Sequence, residues 1–399
     1  MINYGKVDSI LPHKLLLLIA VILLIVVTGA VPATDRAAGA DETVVFRYNV
    51  QYIRHYSPVP GGSASDTLNW NYMTKGVVFF SPAAADGIVY FGGGDNVYAL
   101  NATNGTKLWS YTTGSHVYSS PIVANGIVYV GSWDHNVYAL NANTGAKVWN
   151  YTTGDAVSYS SPIVANGIVY VGSWDHNVYA LNANTGTKVW NYATGDAISH
   201  SPTIANGIVY VGSNDHNVYA LYATNGTKLW SYATLGPVDR RPAVANGIVY
   251  VGSNDHNVYA LDANTGTKIW SYYIGNLVTS PTVANGIVYF GSSDNNVYAL
   301  NATNGTRVWS YATRDAVWAA PAVVDGIIYA GSYDSNVYAL NATTGVKVWN
   351  YITESIVSSS PTVANGIVYV GGGRGMIYAL NTTTGTKVWS ADTGGPMFD

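Results

Sequence analysis

Short apolar runs recur along the chain, separated by turn-forming residues. Ile127–Gly131 reads I-V-Y-V-G, Val137–Leu140 reads V-Y-A-L, and Lys147-Val148-Trp149 opens a third run; another, around Pro121, precedes them. β-Branched and aromatic runs of this length between Gly, Asn and Asp positions predict strands. Asn125-Gly126 predicts a two-residue hairpin between the first two, since both central residues of such a turn take positive φ. Asp134 marks the next turn and Thr144-Gly145 the last. No interval between these turns is long enough for a helix. The four predicted strands are labelled A to D.

The A–D unit is written eight times. A proline recurs at Pro82, Pro121, Pro162, Pro202, Pro242, Pro281, Pro321 and Pro361, at spacings of 39, 41, 40, 40, 39, 40 and 40. A tryptophan keeps step at Trp109, Trp149, Trp190, Trp230, Trp270, Trp309, Trp349 and Trp389. The hairpin survives in every unit, as Asn-Gly in six and as Asp86-Gly87 and Asp325-Gly326 in the others. A lone four-stranded sheet leaves its faces bare, whereas eight set radially cover one another. The expectation is an all-β, eight-bladed β-propeller of four-stranded antiparallel blades over residues 67–399. Trp70-Asn71-Tyr72 reads as a ninth D strand. Two closures of the ring follow: either this strand pairs into the last blade and displaces the Trp389 strand, or the last blade is complete alone.

Composition narrows the chemistry. Only 10% of the 399 residues are charged, the net charge is −4, and cysteine is absent. Disulfides, zinc–cysteine sites, iron–sulfur clusters, a cysteine nucleophile and attached c-type haem are therefore excluded. A balance this sparse predicts no nucleic-acid partner. The template itself explains the sparseness: Lys107, Lys147, Lys188, Lys228, Lys268, Lys347, Lys387 and Arg307 are copies of one D-strand position. On an outermost strand such charges block sheet-to-sheet aggregation.

The N-terminus reads as a targeting segment over residues 1–40, with a lead-in over 41–66. Lys6 and Lys14 precede the apolar run Leu15–Val27, and small residues follow up to Ala33 and Ala40. This describes a cleaved signal peptide. The alternative is an uncleaved signal anchor, a membrane tether through residues 15–31. Either one exports the remainder, to the cell surface or beyond.

The stretch Ala139-Leu140-Asn141-Ala142-Asn143-Thr144-Gly145-Ala146-Lys147-Val148-Trp149 resembles the tryptophan-docking motif A-x-D-x-x-T-G-x-x-x-W of PQQ-like repeat propellers. The B and C strands are similar to that family too, over roughly residues 67–391, as is the lead-in (Phe46-Arg47-Tyr48-Asn49 and Tyr56-Ser57-Pro58). The resemblance implies that Trp109 through Trp389 form a structural girdle, each docking on the neighbouring blade. The motif aspartate survives only as Asp262; six units carry Asn and one Tyr222. Quinoprotein enzymes of this group are expected to use adjacent cysteines, a calcium held by Glu, Asn and Asp, and an Asp base. This chain lacks cysteine and has two glutamates, Glu42 and Glu354. The expectation is a non-enzyme without pyrroloquinoline quinone, calcium or another metal. His135, His176, His216 and His256 recur within Asp-His-Asn, but equivalent positions about 45° apart on a ring stand too far apart for one metal, whose bonds are ~2 Å. They read as polar turns.

Where the copies disagree is where a partner is expected. Strands B and C hardly vary, whereas the D–A connections do. These run over one end of the central channel, beside the B–C turns that carry Trp133 and Trp174. Just before the prolines stand Phe80, Tyr118, Tyr159, His200, Asp239-Arg240-Arg241 and Trp318. Aromatic platforms with arginine suit a sugar, a carboxylate or a peptide; loop drift is the competing explanation. Eight N-x-[ST] sequons (Asn101, Asn104, Asn150, Asn225, Asn301, Asn304, Asn341 and Asn381) lie near the C–D turns or strand D and are candidate glycosylation sites. The reading is an exported binding or scaffold protein holding a cell-surface protein, a glycan or a cell-wall component. The alternatives are an envelope assembly subunit resembling barrel-assembly propellers, a surface-layer or adhesion element without a small ligand, and a quinoprotein dehydrogenase.

Overall fold

The computed structural model describes residues 80–392 apart from 102–105, 365 and 373–375. The targeting segment, the lead-in and the Trp70 strand lie outside the described residues. Within them the chain is all-β: thirty-two strands form eight four-stranded antiparallel sheets, each taking its strands in chain order. Blade one comprises Ala83–Ala85, Ile88–Gly93, Asn96–Asn101 and Lys107–Thr112. Blade eight comprises Thr362–Ala364, Ile367–Gly371, Met376–Asn381 and Lys387–Asp392. The Trp389 strand is therefore the D strand of a blade drawn from one continuous stretch.

Local chemistry accounts for the turns. Asn125 and Gly126 have φ of 50° and 72°, the left-handed pair that a twisted hairpin requires. At the C–D turn, Asn141 Oδ1 accepts hydrogen bonds from the N–H groups of Asn143 and Thr144, both at 3.0 Å. Strand D then carries a bulge: Ala139 pairs with Trp149 but Leu140 with Lys147, so Val148 is skipped. The bulge leaves Lys147 and Val148 exposed and turns Trp149 inward. It recurs in all eight blades.

The core lies between blades. Tyr129, Val137 and Ala139 of blade two pack against Val169, Val171, Tyr179 and Leu181 of blade three. The Trp149 indole N–H crosses the same interface to the carbonyl of Ala183 (2.8 Å), and the buried Tyr129 hydroxyl donates to that same oxygen (3.0 Å). Trp109 and Tyr90 share Ala142 O in this way, and Trp230 and Tyr210 share Ala263 O. The girdle expected of the tryptophans is thus a ring of Tyr–Trp pairs, seven of which use both lone pairs of one carbonyl among the described residues. Between the last and first blades, Trp389 and Ile377 pack with Phe91, Tyr98 and Leu100, and the Ser81 hydroxyl donates to Ser360 O (3.2 Å). Among the described residues, the last and first blades meet through this packing and this hydrogen bond.

A second ring ties the innermost strands. The Ser120 N–H donates to Ser161 Oγ and the Ser161 N–H to Ser201 Oγ, both at 2.9 Å. The N–H groups of Arg241 and Ala320 reach Ser280 and Ser360 likewise (3.0 and 3.1 Å). Where Arg241 or Ala320 stands in the serine's place, a threonine takes over: Thr203 Oγ1 donates to Pro242 O (2.6 Å) and Thr282 Oγ1 to Pro321 O (2.7 Å).

Burial pushes the Tyr129, Tyr250 and Tyr289 hydroxyls up to about 12. Burial opposes the charged form of Asp215, Asp255 and Asp334, yet hydrogen bonds from a tyrosine, an asparagine and backbone N–H groups outweigh it and hold these carboxyls below their ordinary value. The tyrosine contribution to stability is full below the ordinary pKa of 10 and lost as pH rises toward 12. The aspartate contribution is full above the ordinary 3.8 and lost as pH falls below it. Chemical denaturation across pH should show a plateau from about 5 to 9 with a loss on either side. Tyrosinate absorbance should rise together with unfolding; ionisation of these tyrosines in the intact fold near pH 10 would contradict their burial.

Candidate functional site

One carboxylate position, recurring from blade to blade, builds the loop face. Asp134, in the B–C turn of blade two, accepts the Asn136 N–H on Oδ1 (3.0 Å). Its Oδ2 accepts the Tyr138 hydroxyl (2.5 Å) and the Gly114 N–H (2.6 Å) of the connection arriving from blade one. Asp175 and Asp215 repeat the arrangement in blades three and four. Asp255 and Asp334 likewise accept the Leu235 and Arg314 N–H groups, so five D–A connections are pinned in this way beside the next blade's B–C turn, and the two sets of loops share one face.

The histidines of these turns are backbone formers. His135, His176, His216 and His256 have φ between 68° and 73°. His135 and His176 approach Asp155 and Asp196 at 3.7 Å, exposed pairs of little energetic weight. Among the described residues no three His, Asp or Glu side chains converge as a metal site would require. The D-strand cations lie on the outer edge as expected, with Lys107, Lys147 and Arg307 exposed. Of the sequons, Asn225 and Asn304 are exposed at C–D turn tips. Asn301, Asn341 and Asn381 accept turn N–H bonds, Asn150 bonds Asn136, and Asn101 ends a C strand. Asn104 lies outside the described residues.

The divergent connections converge over blades one to five. Phe80 lies against Tyr118 and Tyr159 (ring centroids 6.2 and 5.5 Å), and Tyr159 stacks on His200 at 6.2 Å. Tyr118 meets Trp133 edge-on at 5.2 Å, and Trp133 meets Trp174 at 6.1 Å. His116, unremarkable in the sequence, joins Tyr118 at 5.3 Å and hydrogen-bonds Asp95. Tyr159 and Trp133 are the exposed members, at 42% and 39%. The connection into blade three is one residue longer than its neighbours, which the 41-residue proline spacing records. The structure accommodates it with Tyr159 at φ 58°, the one non-glycine residue at positive φ outside the A–B and B–C turns among those described. A bulky residue held there is strained, and such strain gathers at functional sites.

Two expected members behave differently. Arg240 and Arg241 are not free cations for a carboxylate. Arg240 donates from Nε to Val278 O (2.9 Å) and pairs with Asp239 (3.0 Å), while Arg241 Nε donates to Thr203 Oγ1 (3.1 Å). Both arginines bind blade five to its neighbours, because a guanidinium this enclosed must be paired. Trp318, on blade seven, has no ring contact with the arc among the described residues. His200 is the perturbed group: burial, then the Arg240 charge, lower its pKa to about 4 against the opposing pull of Asp239. The imidazole is neutral at pH 7.

Comparison with known proteins agrees with the architecture. A family model described as outer membrane protein assembly factor BamB, of the PQQ-like repeat type, matches residues 51–172, 155–240, 233–317 and 313–399. No curated protein sequence matches the chain. Among solved structures, the computationally designed Ika8 protein superposes with a TM-score of 0.69 at 20% identity, over 81% of this chain and 99% of that one. BamB from Moraxella catarrhalis gives 0.63 at 20% identity, over 76% and 92%. The quinohemoprotein alcohol dehydrogenase ADHIIG from Pseudomonas putida HK5 gives 0.67 at 18% identity, over 81% and 74%. At these identities the structural likenesses show the fold. With matches running through all of its repeats, the chain belongs to the PQQ-like repeat propeller family described as outer membrane protein assembly factor BamB.

Proposed function

We propose that the chain is an exported, non-catalytic binding propeller that holds a partner at the cell surface over its D–A loop face. One observation carries this reading. Near-identical blades diverge in the D–A connections, and the divergent aromatic side chains gather into one contiguous arc from Phe80 to His200. Drift alone gives no reason for neighbouring connections to acquire mutually packed rings, two of them exposed. A cysteine-free chain cannot form the adjacent-cysteine disulfide implied by the quinoprotein resemblance. The B–C turn aspartates are held by turn hydrogen bonds and Asp239 is paired with Arg240, so these carboxylates do not supply the calcium donor set that the resemblance implies. Likeness of fold to a dehydrogenase does not carry its function.

The partner class is a protein, a glycan or a cell-wall component. The family match favours one second reading, a subunit of envelope assembly with protein partners.

Capture from envelope fractions, read by mass spectrometry, tests the proposal and also reports the mature N-terminus and sequon use. Trp133→Ala combined with Tyr159→Gly should lower partner capture at least tenfold. Tyr159→Gly also relaxes the strained backbone, so the loss cannot be ascribed to unfolding if the melting temperature is kept. Undiminished capture by this variant would move the binding surface elsewhere.

A further inference from the structure

We infer that the part of the loop face shared by blades three, four and five is a subsite for a neutral saccharide, stacked on the aromatic arc and hydrogen-bonded by Ser158, Trp174, His200 and Asp239. This deepens the proposed binding role and rests on it.

The first observation is where unmet hydrogen bonds occur. Buried polar atoms in folded proteins are nearly always paired, and each exception calls for an explanation. Among the described residues four buried side-chain atoms have no hydrogen-bond partner: Ser158 Oγ, Trp174 Nε1, His200 Nδ1 and Asp239 Oδ1. The last touches Arg240 as an ion pair, outside hydrogen-bond geometry. All four belong to the B–C turns and connections of three consecutive blades, beside Tyr159 and Trp133.

The other blades serve as internal controls. In blade four, Ser199 and Asn214 hold the positions of Ser158 and Trp174, and the Asn214 amide donates to Ser199 Oγ (3.2 Å). Blade three has exchanged that asparagine for an indole and left both partners open. Two residues before the proline, Ser119, Ser160, Thr279 and Ser359 each accept a hydrogen bond from a strand-B glycine N–H. His200 occupies that position in blade four and brings an unpaired ring nitrogen instead. These groups depart from a template that satisfies its own polar atoms elsewhere in the same chain.

Charge and shape then select the ligand. Asp239 and Arg240 neutralise each other, and His200 is uncharged at pH 7. The sector presents an indole N–H donor, a hydroxyl able to do either, an imidazole nitrogen whose role follows its tautomer, and a carboxylate oxygen acceptor. Such a mixture of donors and acceptors suits hydroxyl groups, which both donate and accept. Beside it the Tyr159 and Trp133 rings offer apolar faces, and sites of this kind combine aromatic lining with a few placed polar groups. A pyranose ring carries C–H faces and hydroxyl edges together. Ordered water alone is the competing occupant.

The test follows the indole N–H resonance of Trp174 by nitrogen-15 NMR in the full chain, assigned by its loss in Trp174→Phe. Titrants are the N-acetylglucosamine trimer, mannotriose and maltotriose, with acidic trigalacturonate as the contrasting arm. At least one neutral trisaccharide should shift the resonance saturably. Isothermal titration calorimetry reads the variants, since one of them lacks the reporting N–H: Trp174→Phe, which keeps a ring, and Ser158→Ala should each weaken that binding about tenfold, as for one lost hydrogen bond. Lys188→Gln on the outer edge should leave it unchanged. No shift with any neutral sugar, equal binding by both variants, or binding of trigalacturonate alone overturns the subsite. If saccharides fail while Trp133→Ala with Tyr159→Gly still abolishes capture of an envelope partner, the saccharide is wrong and the binding face stands. If capture also persists, both fall.

Discussion

Trp190→Ala is expected to destabilise the propeller by about 3–5 kcal/mol, the cost of emptying a buried aromatic site. Trp190 is 7% exposed, packs on Tyr170 at 5.8 Å, and donates to Ala223 O of the next blade at 2.9 Å. Gly226 of the next blade lies directly against the indole, where a Cβ would stand 2.6 Å from Trp190 Cε3, so no side chain on that side reaches into the emptied space. Trp190→Phe separates the two contributions. It keeps most of the buried ring and removes only the hydrogen bond, so its cost should be near 1 kcal/mol plus a small packing loss. Urea denaturation followed by circular dichroism measures both. Equal losses for Ala and Phe would mean that the hydrogen bond, rather than burial, holds the blades together.

Gly186→Ala should cost about 2–5 kcal/mol, and Gly167→Ala only about 1–2. The two glycines belong to the same blade and have nearly the same φ, 71° and 72°. Backbone strain on adding a methyl group is therefore equal. Their surroundings differ: a Cβ on Gly167 meets nothing within 4 Å, whereas one on Gly186 would stand 2.7 Å from Trp149 Cδ2. The difference between the variants measures how closely the indole of one blade rests on the turn of the next. If the two substitutions cost the same, the docked tryptophan yields freely and the girdle is looser than described.

The repeats made the architecture legible. Asn-Gly turns are dictated by sterics within two residues, and eight copies average out the ambiguity of any one short strand. The tryptophan positions were also readable, through the motif around Thr144-Gly145. Their tyrosine partners were not: Tyr129 and Ala183 lie on different blades, and no local pattern links a strand-B hydroxyl to a distant carbonyl. Asp134 read as a turn residue, which is half of its role; its bond to Gly114 N–H depends on how one blade's connection overlies the next blade. The candidate site came through in part. Phe80, Tyr118, Tyr159 and His200 were singled out by divergence, and radial symmetry brings them together. Arg240 and Arg241 were singled out by charge, but their pairing with Val278, Asp239 and Thr203 arises from tertiary structure. Trp174 is legible as an aromatic turn residue on that face, whereas the unmet hydrogen bonds of its Nε1 and of Ser158 Oγ arise from tertiary structure. The 41-residue spacing was the visible trace of the inserted residue, although its consequence, Tyr159 at positive φ, required the fold.

The most direct measurement is a hydrogen–deuterium exchange footprint of a captured envelope partner on the intact propeller. Protection should concentrate in the connections 113–120, 154–161 and 195–201 and in the B–C turns bearing Trp133 and Trp174, with the D-strand edges unchanged. Protection confined to the outer D strands or to the A–B and C–D turns would contradict a binding face built from the divergent connections.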